Sequence, residues 1–463
     1  MSARKTALKA LLRVDENSGY SNLVLDKALR SCQLSERDRS FAAALFYGVL
    51  ERRLTLDAVL EQYTARPKRK VDTTVWEILR MAAYQIFYMD KVPDSAAVNE
   101  AVILTKQSGK GKASGFVNGI LRNLLRSRGT VEFPPQHGSR LHRLSVQYSC
   151  PEWLISMWES AYGKDITLKI MENCFLRPPL YARVNTLKIN REKLIDLLHQ
   201  ESIKASSVVW LEDALKLDNT GSIAQSKCFQ HGLFHIQDLA SQLCCKLFGA
   251  KPGERIYDVC AAPGGKTFTI AQRMHDDGEI RSFDQYKGKV CLIQKGAQRL
   301  GIHCISAALR DAAAGSDPLP PADRVLCDVP CSGLGILRRK PEIRYKSPES
   351  IDSLPILQYR ILCRSADLLR PGGVLLYSTC TLNPAENQAN TQRFLSEHPI
   401  FAALPLHLPK GIQRTIKEPE NQLTLFPQMN QTDGFFISAF RREESFNHAG
   451  YQIHDTGRTE RGL

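Results

Sequence analysis

Two cysteines that follow predicted strands could act as nucleophiles. Cys331 ends the segment Asp328-Val-Pro-Cys331, and Cys380 ends Ser378-Thr-Cys380. A thiolate that adds to C6 of a pyrimidine makes C5 carbanion-like, and a base must afterwards remove the C5 proton. A buried cysteine is more often an inert packing residue, so the chemistry depends on what surrounds the pair.

The residues after Cys380 favour its reactive form. Asn383-Pro-Ala-Glu386 predicts a new helix with Asn383 as N-cap, proline at the first position and Glu386 at the third. A thiol just before a helix N-terminus lies in a field that stabilises its thiolate. Residue type alone still leaves the roles of the two cysteines interchangeable.

A glycine turn between Asp258 and Thr267 predicts a ligand site. The segment is typical of a strand, a tight turn and a helix that begins at Thr267, whose free N–H groups could face a ligand. A Walker A loop would need glycine where Cys260 stands, and the dinucleotide pattern G-x-G-x-x-G is absent. The segment Val325 to Asp328 also resembles the magnesium-binding strand of an NTPase. The glycine pattern alone therefore does not exclude a phosphate-binding site.

Asp284 makes a nucleoside ligand the better interpretation. It ends the predicted strand Ile280 to Asp284, where a carboxylate would accept both hydroxyls of a ribose. The alternative is an ordinary N-cap of the next helix. Together with Asp258 and the glycine turn, Asp284 suits S-adenosylmethionine, because its sulfonium and ammonium cations favour carboxylates over a phosphate cradle.

Apolar segments that alternate with helical ones position these residues. From Gly253 onward they predict a doubly wound, mostly parallel α/β sheet, in which ligands bind at the carboxyl ends of the strands. A final antiparallel strand is predicted over Gly434 to Phe440. The predicted strands are Arg255 to Cys260, Ile280 to Asp284, His303 to Ala307, Arg324 to Asp328 and Val374 to Ser378.

The chain divides into three predicted domains and a tail. Helical periodicity predicts an all-α domain over residues 1–135, with Ser35 to Asp38 as a helix start. A small α+β domain over 145–245 acts as a linker or RNA-binding unit, and the α/β domain covers 246–441. Residues 442–463 are polar enough to predict a disordered tail.

Charge points to a polyanionic partner. The 463 residues carry 62 Lys and Arg against 48 Asp and Glu, a net charge of +14. Residues 1–150 hold 24 basic and 14 acidic residues, so +10 of the excess lies there. Residues 101–131 contain no acid at all, which predicts an RNA-binding face, although solvated helix ends are the simpler alternative. The candidate phosphate contacts in this segment are Lys106, Lys110, Lys112, Arg122 and Arg126.

Composition also excludes several classes of protein. The apolar runs Phe41 to Leu50 and Met81 to Met89 are about half the roughly 20 residues that a membrane-spanning helix needs. The 13 cysteines form no Cys-x-x-Cys pair, which argues against a disulfide framework and a zinc ribbon. We expect a monomeric cytoplasmic protein with no membrane association and no bound metal.

The motifs together resemble a known family. Asp258 to Thr267, Asp328-Val-Pro-Cys331 and Thr379-Cys380 resemble the signatures of the RNA cytosine-5 methyltransferases that use two cysteines, the Nol1/Nop2/Sun family. The first domain is similar to NusB-type helical RNA-binding domains, a combination typical of the members that modify 16S ribosomal RNA. Further similar positions are Leu34 to Asp38, Leu79 to Tyr84, Gly115 to Asn118, Leu121-Arg122, Arg183 to Thr186, Gln237-Asp238, Arg299 to Gly301, Arg338 to Pro341, Glu386-Asn387 and Asp433 to Phe436.

The resemblance implies a function and a role for each residue. It implies methyl transfer from S-adenosylmethionine to C5 of a cytosine in 16S rRNA, either free or in early assembly intermediates. Cys380 is then the nucleophile, Cys331 assists product release, Asp328 hydrogen-bonds the cytosine and lies against the cofactor, and Arg183 contacts RNA. The residues implied for the cofactor site are Cys260, Ala261, Ala262, Pro263, Gly264, Gly265, Lys266, Asp284, Asp311 and Asp328.

Two other functions remain open at the level of sequence. A tRNA cytosine could be the target, or the chain could be an RNA-binding ribosome-assembly factor with a vestigial catalytic domain. The presence of both cysteines and of the cofactor acids counts against the second alternative.

Overall fold

The computed structural model describes residues 2–17, 20–64, 67–127, 138–314 and 318–444. The predicted tail lies outside the described residues from position 445 onward, and so do residues 128–137. Within the described ranges, no helix is long and apolar enough to cross a membrane.

The described residues between 2 and 127 form the predicted all-α domain. Its core includes Phe46, Trp76 and Leu79. Ser35 caps the third helix, because its side chain accepts a hydrogen bond from the Asp38 N–H. The apolar run from Phe41 to Leu50 lies within the third helix, which ends at Glu51, and a fourth helix begins at Arg53. The helices are α1 (Ala3–Asn17), α2 (Ser21–Arg30), α3 (Glu36–Glu51), α4 (Arg53–Glu61), α5 (Thr73–Tyr88), α6 (Asp94–Gln107) and α7 (Ser114–Arg126).

The second unit is an antiparallel sheet with helices, as expected for an α+β domain. Its strand order is β2-β3-β1-β4. No alternating pattern marks β2 or β3 in the sequence, because β2 is polar on its exposed face and four of the eight residues of β3 are charged. The strands are β1 (Leu180–Val184), β2 (Lys204–Val208), β3 (Leu211–Asp218) and β4 (Phe234–Ile236). The helices are α8 (Arg140–Tyr148), α9 (Glu152–Tyr162), α10 (Lys164–Asn173), α11 (Arg191–Gln200), α12 (Lys227–Gln230) and α13 (Leu239–Phe248).

The third unit is the predicted doubly wound sheet. Its order is β7-β6-β5-β8-β9-β12-β10, and β11 also pairs with β12. The strands from β5 to β9 are parallel, and β12 is antiparallel to β9 as predicted. The strands are β5 (Arg255–Asp258), β6 (Glu279–Asp284), β7 (Ile305–Leu309), β8 (Ala322–Asp328), β9 (Leu369–Thr379), β10 (Phe401–Ala403), β11 (Gln422–Leu425) and β12 (Phe435–Arg442). The helices are α14 (Gly265–Arg273), α15 (Lys287–Leu300), α16 (Leu354–Ala366), α17 (Gln388–Glu397) and α18 (Pro427–Asn430).

Helices cover both faces of this sheet. Successive strand residues point to opposite faces, so Ile256 and Tyr257 of β5 belong to two different apolar clusters. The carboxyl ends of the central strands lie side by side: Asp258 pairs with Leu326, and Asp328 pairs with Ser378. This edge therefore collects the residues that follow β5, β8 and β9.

Two predicted helix starts are wrong, one by two residues and the other by four. Helix α14 begins at Gly265 rather than Thr267, because Gly264 takes a left-handed conformation (φ 107°) that turns the chain earlier. Helix α17 begins at Gln388 rather than Pro384. The side-chain carbonyl of Asn383 instead accepts the Ala385 N–H, and its amide donates to Glu386, so residues 383–387 form a turn.

The helical domain packs on the segment between Cys331 and α16. The Tyr345 hydroxyl donates to the Leu50 carbonyl at 2.8 Å, and the Ser21 N–H donates to Glu342 Oε1 at 2.9 Å. The α4 residues Leu54 and Thr55 are hydrogen-bonded to the segment 146–149 of the second unit. The first domain therefore contacts both other units.

Candidate active site

The structure brings the two predicted thiols together. Cys331 follows β8 and Cys380 follows β9, which are neighbouring parallel strands. Their Sγ atoms are 3.2 Å apart, close enough for one thiol to donate a hydrogen bond to the other sulfur. Both cysteines are partly accessible to solvent.

The surroundings make the two thiols unequal. The hydrogen bond from Cys331 lowers the pKa of Cys380, with further help from the charges of Lys266 and Lys340 and against the opposing effects of burial and Asp328. The same hydrogen bond raises the pKa of Cys331 well above its ordinary value, and burial acts in the same direction. Cys380 is therefore the thiol that ionises first. The lowered pKa of Cys380 comes mainly from the neighbouring thiol. The helix N-terminus that was predicted to stabilise the thiolate is farther along the chain, because α17 begins only at Gln388.

A buried carboxylate joins the two cysteine loops. Glu386 Oε2 accepts the Ser332 N–H at 2.9 Å and the Gln358 amide at 2.7 Å, and Oε1 accepts the Asn383 amide at 3.0 Å. Glu386 is fully buried. These bonds hold the loop after β8 against the loop after β9, which fixes the distance between the thiols.

Close backbone contacts hold the same loops from the other side. The Gly335 N–H donates to the Cys380 carbonyl at 3.0 Å, and the Gly434 N–H donates to the Gly335 carbonyl at 2.8 Å. A Cβ on Gly335 would lie 2.1 Å from the Gly434 carbonyl oxygen, so only glycine fits here.

The thiols open into a cavity of about 450 Å³. Three predicted carboxylates line it: Asp284 at the end of β6, Asp311 after β7 and Asp328 at the end of β8. Cys260 and Ala262 line it as well. Burial raises the pKa of Cys260 well above its ordinary value, which leaves this third thiol protonated.

The remaining residues of the glycine turn support the cavity from behind. Ala261, Pro263, Gly264 and Gly265 are not among the described residues that line it. The Ala261 N–H donates to the Phe283 carbonyl at 2.8 Å, and Gly264 makes the turn into α14. They shape the backbone at the end of β5.

Lys266 reaches the site through Asp328. Its Nζ lies 2.6 Å from Asp328 Oδ2, and the Ser378 hydroxyl donates to Asp328 Oδ1 at 2.7 Å. Burial lowers the pKa of Lys266, but Asp328 and the thiols of Cys244 and Cys245 outweigh this effect and raise the pKa overall. The pair fixes the orientation of the Asp328 carboxylate beside Cys331 and Cys380.

This set of groups fits a cationic nucleoside cofactor. Asp284 and Asp311 supply carboxylate oxygens for hydroxyl or ammonium donors, and small residues at 260–262 leave room beside the backbone. Behind them, Asp258 Oδ1 is buried without a hydrogen-bond partner among the described residues, and burial raises the pKa of Asp258 to about 7. The Asp284 side chain is not an N-cap, because α15 begins at Lys287 after Tyr286.

The sequence interpretation missed a second group that lines the cavity. These residues are basic or aromatic and come from several elements. Lys340 belongs to the Arg338–Pro341 motif and could have been found there, whereas no local pattern marks Tyr20. The missed residues are Tyr20, Lys289, Arg310, Lys340, Lys346 and Arg360.

The predicted RNA-binding residues of the helical domain lie away from this cavity. Lys106, Lys112, Arg122 and Arg126 are exposed on α6, α7 and the turn between them. Lys110 is partly exposed and pairs with Asp72 at 2.6 Å. None of these five lines the cavity, so they could contact RNA only at a distance from the thiols.

Arg183 does not fit its predicted role. Its side chain is 3% exposed, and its guanidinium pairs with Asp213 at 2.8 Å. Its Nε also approaches Gln272 of α14 at 3.4 Å. The predicted contact with RNA is therefore wrong for this side chain, which instead packs the second unit against the third.

Comparison with known proteins agrees with this arrangement. Residues 246–441 match the family model described as 16S rRNA methyltransferase RsmB/F, and residues 1–126 match the NusB family. Residues 150–224 match the ferredoxin-like domain of RsmF/B-like methyltransferases.

Relatives with similar sequences extend over nearly the whole chain. The probable ribosomal RNA small subunit methyltransferase B of Bacillus subtilis is 37% identical and aligns over 96% of this chain and 99% of its own length. This chain belongs to the 16S rRNA methyltransferase RsmB/F family. The probable methyltransferase B of Synechocystis is 36% identical over 96% of this chain and its full length.

Solved structures support the same assignment. PH0851 superposes with a TM-score of 0.79 at 25% identity and covers 94% of this chain and 98% of its own. A methyltransferase homolog protein from Pyrococcus horikoshii has a TM-score of 0.58 at 28% identity, over 66% of this chain and all of its own. The predicted resemblance to rRNA methyltransferases, the NusB-like domain, the three-part fold and the S-adenosylmethionine cofactor are confirmed by these family matches. The chain is an S-adenosylmethionine-dependent rRNA methyltransferase.

Proposed function

We propose that this protein transfers a methyl group to C5 of one cytosine in 16S rRNA through a covalent bond between Cys380 and C6. The observation that carries the proposal is the 3.2 Å contact between Cys380 and Cys331 inside the cavity that Asp328 also lines. A pyrimidine C5 needs both a nucleophile for C6 and a base for the C5 proton, and one thiol can serve each need.

Cys380 carries out the addition. Its thiolate attacks C6, and the electrons of the C5–C6 double bond move to C5, which becomes nucleophilic. The bound cofactor supplies an electrophilic methyl group for that carbon. Lys266 and Ser378 orient Asp328 so that its carboxylate can accept a hydrogen bond from the cytosine N4 amino group. This hydrogen bond holds the cytosine ring next to the thiols.

Cys331 then removes the C5 proton. The electrons of the C5–H bond restore the double bond, and the Cys380 thiolate leaves C6. The hydrogen bond to Cys380 is the first cause of the high pKa of Cys331. Once Cys380 is a neutral thioether, that cause disappears, so Cys331 gives its own proton to water more readily and is then the thiolate base that takes the C5 proton.

The RNA partner follows from the family and the charge distribution. We take 16S rRNA, free or in an early assembly intermediate, as the substrate, and the exposed cations of α6 and α7 as contacts to phosphates remote from the cytosine. Because the thiols lie inside a cavity, the target base must leave its helix, which an unpaired loop allows at least cost.

The position and substrate can be tested directly. The full-length protein, labelled S-adenosylmethionine and one of four RNAs are incubated: a 16S transcript, a 23S transcript, bulk tRNA or assembled small subunits. We expect 5-methylcytidine at one site of the 16S transcript by mass spectrometry and bisulfite sequencing, and no label with Cys380→Ala. Label in tRNA, or a methyl group on a base nitrogen or a ribose, would overturn the proposal.

A further inference from the structure

Tyr20 of the helical domain is part of the cavity that holds both thiols. The cavity is otherwise lined by residues 259–380 of the methyltransferase domain. Tyr20 lies immediately before α2, and its side chain is 50% exposed, so much of its ring remains open rather than packed in the domain's own core.

Contacts with the segment after Cys331 fix the position of Tyr20. Lys340 Nζ lies 3.6 Å from the centroid of the Tyr20 ring, a cation–π contact. The adjacent Ser21 N–H donates to Glu342 Oε1 at 2.9 Å. Both partners belong to the segment after Cys331, and Tyr345 of the same segment donates to Leu50 of α3. The ring is therefore held beside the thiols by the contact between domains.

An aromatic ring at this place suits an unstacked base. A nucleobase that leaves a helix loses its stacking partners, and stacking on an aromatic side chain replaces about 1–3 kcal/mol per base. Among the described residues that line the cavity, Tyr20 is the only aromatic one. Aliphatic, charged and uncharged polar groups, including the thiols, form the rest of the wall.

We propose that Tyr20 is a substrate-positioning residue that packs its ring against the target cytosine or the base next to it. The NusB-like domain then completes the active site in addition to contacting RNA elsewhere. This inference rests on the proposed cytosine chemistry and adds the group that holds the base for it. The alternative is a ring that only joins the two domains through Lys340.

The test uses full-length protein with 16S transcripts in which cytidine is replaced by 5-fluorocytidine. With S-adenosylmethionine present, Cys380 adds to C6 and C5 is methylated, but fluorine at C5 cannot leave as a proton does, so the methylated Cys380 adduct accumulates and is seen on a denaturing gel. We compare Tyr20→Phe, Tyr20→Leu and Tyr20→Ala. Leu23→Ala is the control, because Leu23 is 63% exposed on α2 and does not line the cavity.

We expect Tyr20→Leu and Tyr20→Ala to form the adduct about 10-fold more slowly or worse, the loss expected for one stacked base. Tyr20→Phe should stay within about threefold of wild type, because it keeps the ring. S-adenosylmethionine affinity and the melting temperature should not change in Tyr20→Leu, which keeps an apolar side chain in case Tyr20→Ala does not fold.

The outcomes separate this inference from the function beneath it. No adduct with the wild-type protein would mean that the cytosine mechanism itself fails. An adduct with wild type and an equal rate with Tyr20→Leu would overturn the role of Tyr20 alone. A Tyr20→Phe variant as slow as Tyr20→Leu would also overturn it, since the loss would then not come from the ring.

Discussion

At the scale of single residues, Cys331 and Cys380 have the same side chain, but the pKa of Cys380 is lowered and the pKa of Cys331 is raised. One hydrogen bond accounts for the difference, because the sulfur that accepts it is stabilised as an anion and the one that donates it keeps its proton. The assignment of Cys380 as nucleophile therefore depends on Cys331 being present and protonated before the reaction.

This dependence predicts a shift in a pH profile. Cys380 reacts as its thiolate, so its alkylation by iodoacetamide should accelerate as pH rises through its lowered pKa. Cys331→Ala removes the donor, raises the pKa of Cys380 and should move the midpoint to higher pH. Peptide mass spectrometry measures both proteins, with the partly exposed Cys363 as internal control. Identical midpoints for Cys380 would contradict the account.

Asp284 can be tested in the same cavity. It is 7% exposed, accepts the Tyr286 N–H at 3.0 Å and has Lys289 Nζ at 3.5 Å. Asp284→Asn should weaken S-adenosylmethionine binding by about 1–3 kcal/mol, because a buried acceptor for a ligand hydroxyl is removed. Isothermal titration calorimetry measures this, with the exposed Asp277→Asn as control. Unchanged affinity in Asp284→Asn would remove Asp284 from the cofactor site.

At the scale of elements, the site consists of the loops that follow parallel strands. Strands β8 and β9 set the two cysteines on one edge, but the loops after them could separate without the bonds that Glu386 makes to Ser332 and Gln358. The turn at 383–387 exists because its polar side chains bond within and between these loops. Helix α17 begins after that turn.

Glu386→Gln tests this connection. A glutamine amide would place a donor against the Ser332 N–H, the Gln358 amide or the Asn383 amide, so one buried donor loses its acceptor. We expect a decrease of about 1–3 kcal/mol in the free energy of unfolding, measured in urea, and slower adduct formation. Glu61→Gln is the control, since Glu61 is exposed at the end of α4. Equal stability losses in both variants would argue against the role of Glu386.

The sequence predicts the strand ends well and the interactions between loops poorly. Asp284, Asp328 and both cysteines could be placed at one edge because parallel strands all end there. The contacts of Glu386 with Ser332 and Gln358 could not, because these residues lie in the loop after β8 and in α16, and no periodic pattern connects them with Glu386. Polar strands such as β2 were missed for a related reason: their exposed face hides the alternation that marks a strand.

At the scale of the whole molecule, the position of the helical domain could not be predicted at all. It is set by single hydrogen bonds, such as Thr55 to Val146 and Tyr345 to Leu50, between residues far apart in sequence. These hydrogen bonds hold the helical domain so that its Tyr20 ring reaches the active-site cavity. Because the exposed cations of α6 and α7 belong to the same domain, the domain can contact the RNA backbone and the target base together.

The cations give a prediction on salt dependence. Changing Lys106, Lys112, Arg122 and Arg126 together to Gln should reduce the slope of log affinity against log salt by about 0.7–0.9 for each phosphate that is no longer neutralised. The control changes the exposed Lys9, Lys27, Arg37 and Arg39, which lie elsewhere on the same domain. Filter binding to a 16S transcript measures both. Equal slopes for the two quartets would count against an RNA-binding face on α6 and α7.

The covalent mechanism itself is tested by trapping the RNA on Cys331→Ala. This variant keeps Cys380 and lacks the base, so it should add to the cytosine, methylate it and stall. With a 16S transcript and S-adenosylmethionine at about pH 8.5, where an ordinary thiol is half ionised, a slow-migrating protein–RNA band should appear on a denaturing gel for Cys331→Ala. It should be missing for Cys380→Ala and for the double variant. A band from Cys380→Ala would reverse the two roles, and no band from either single variant would contradict covalent catalysis.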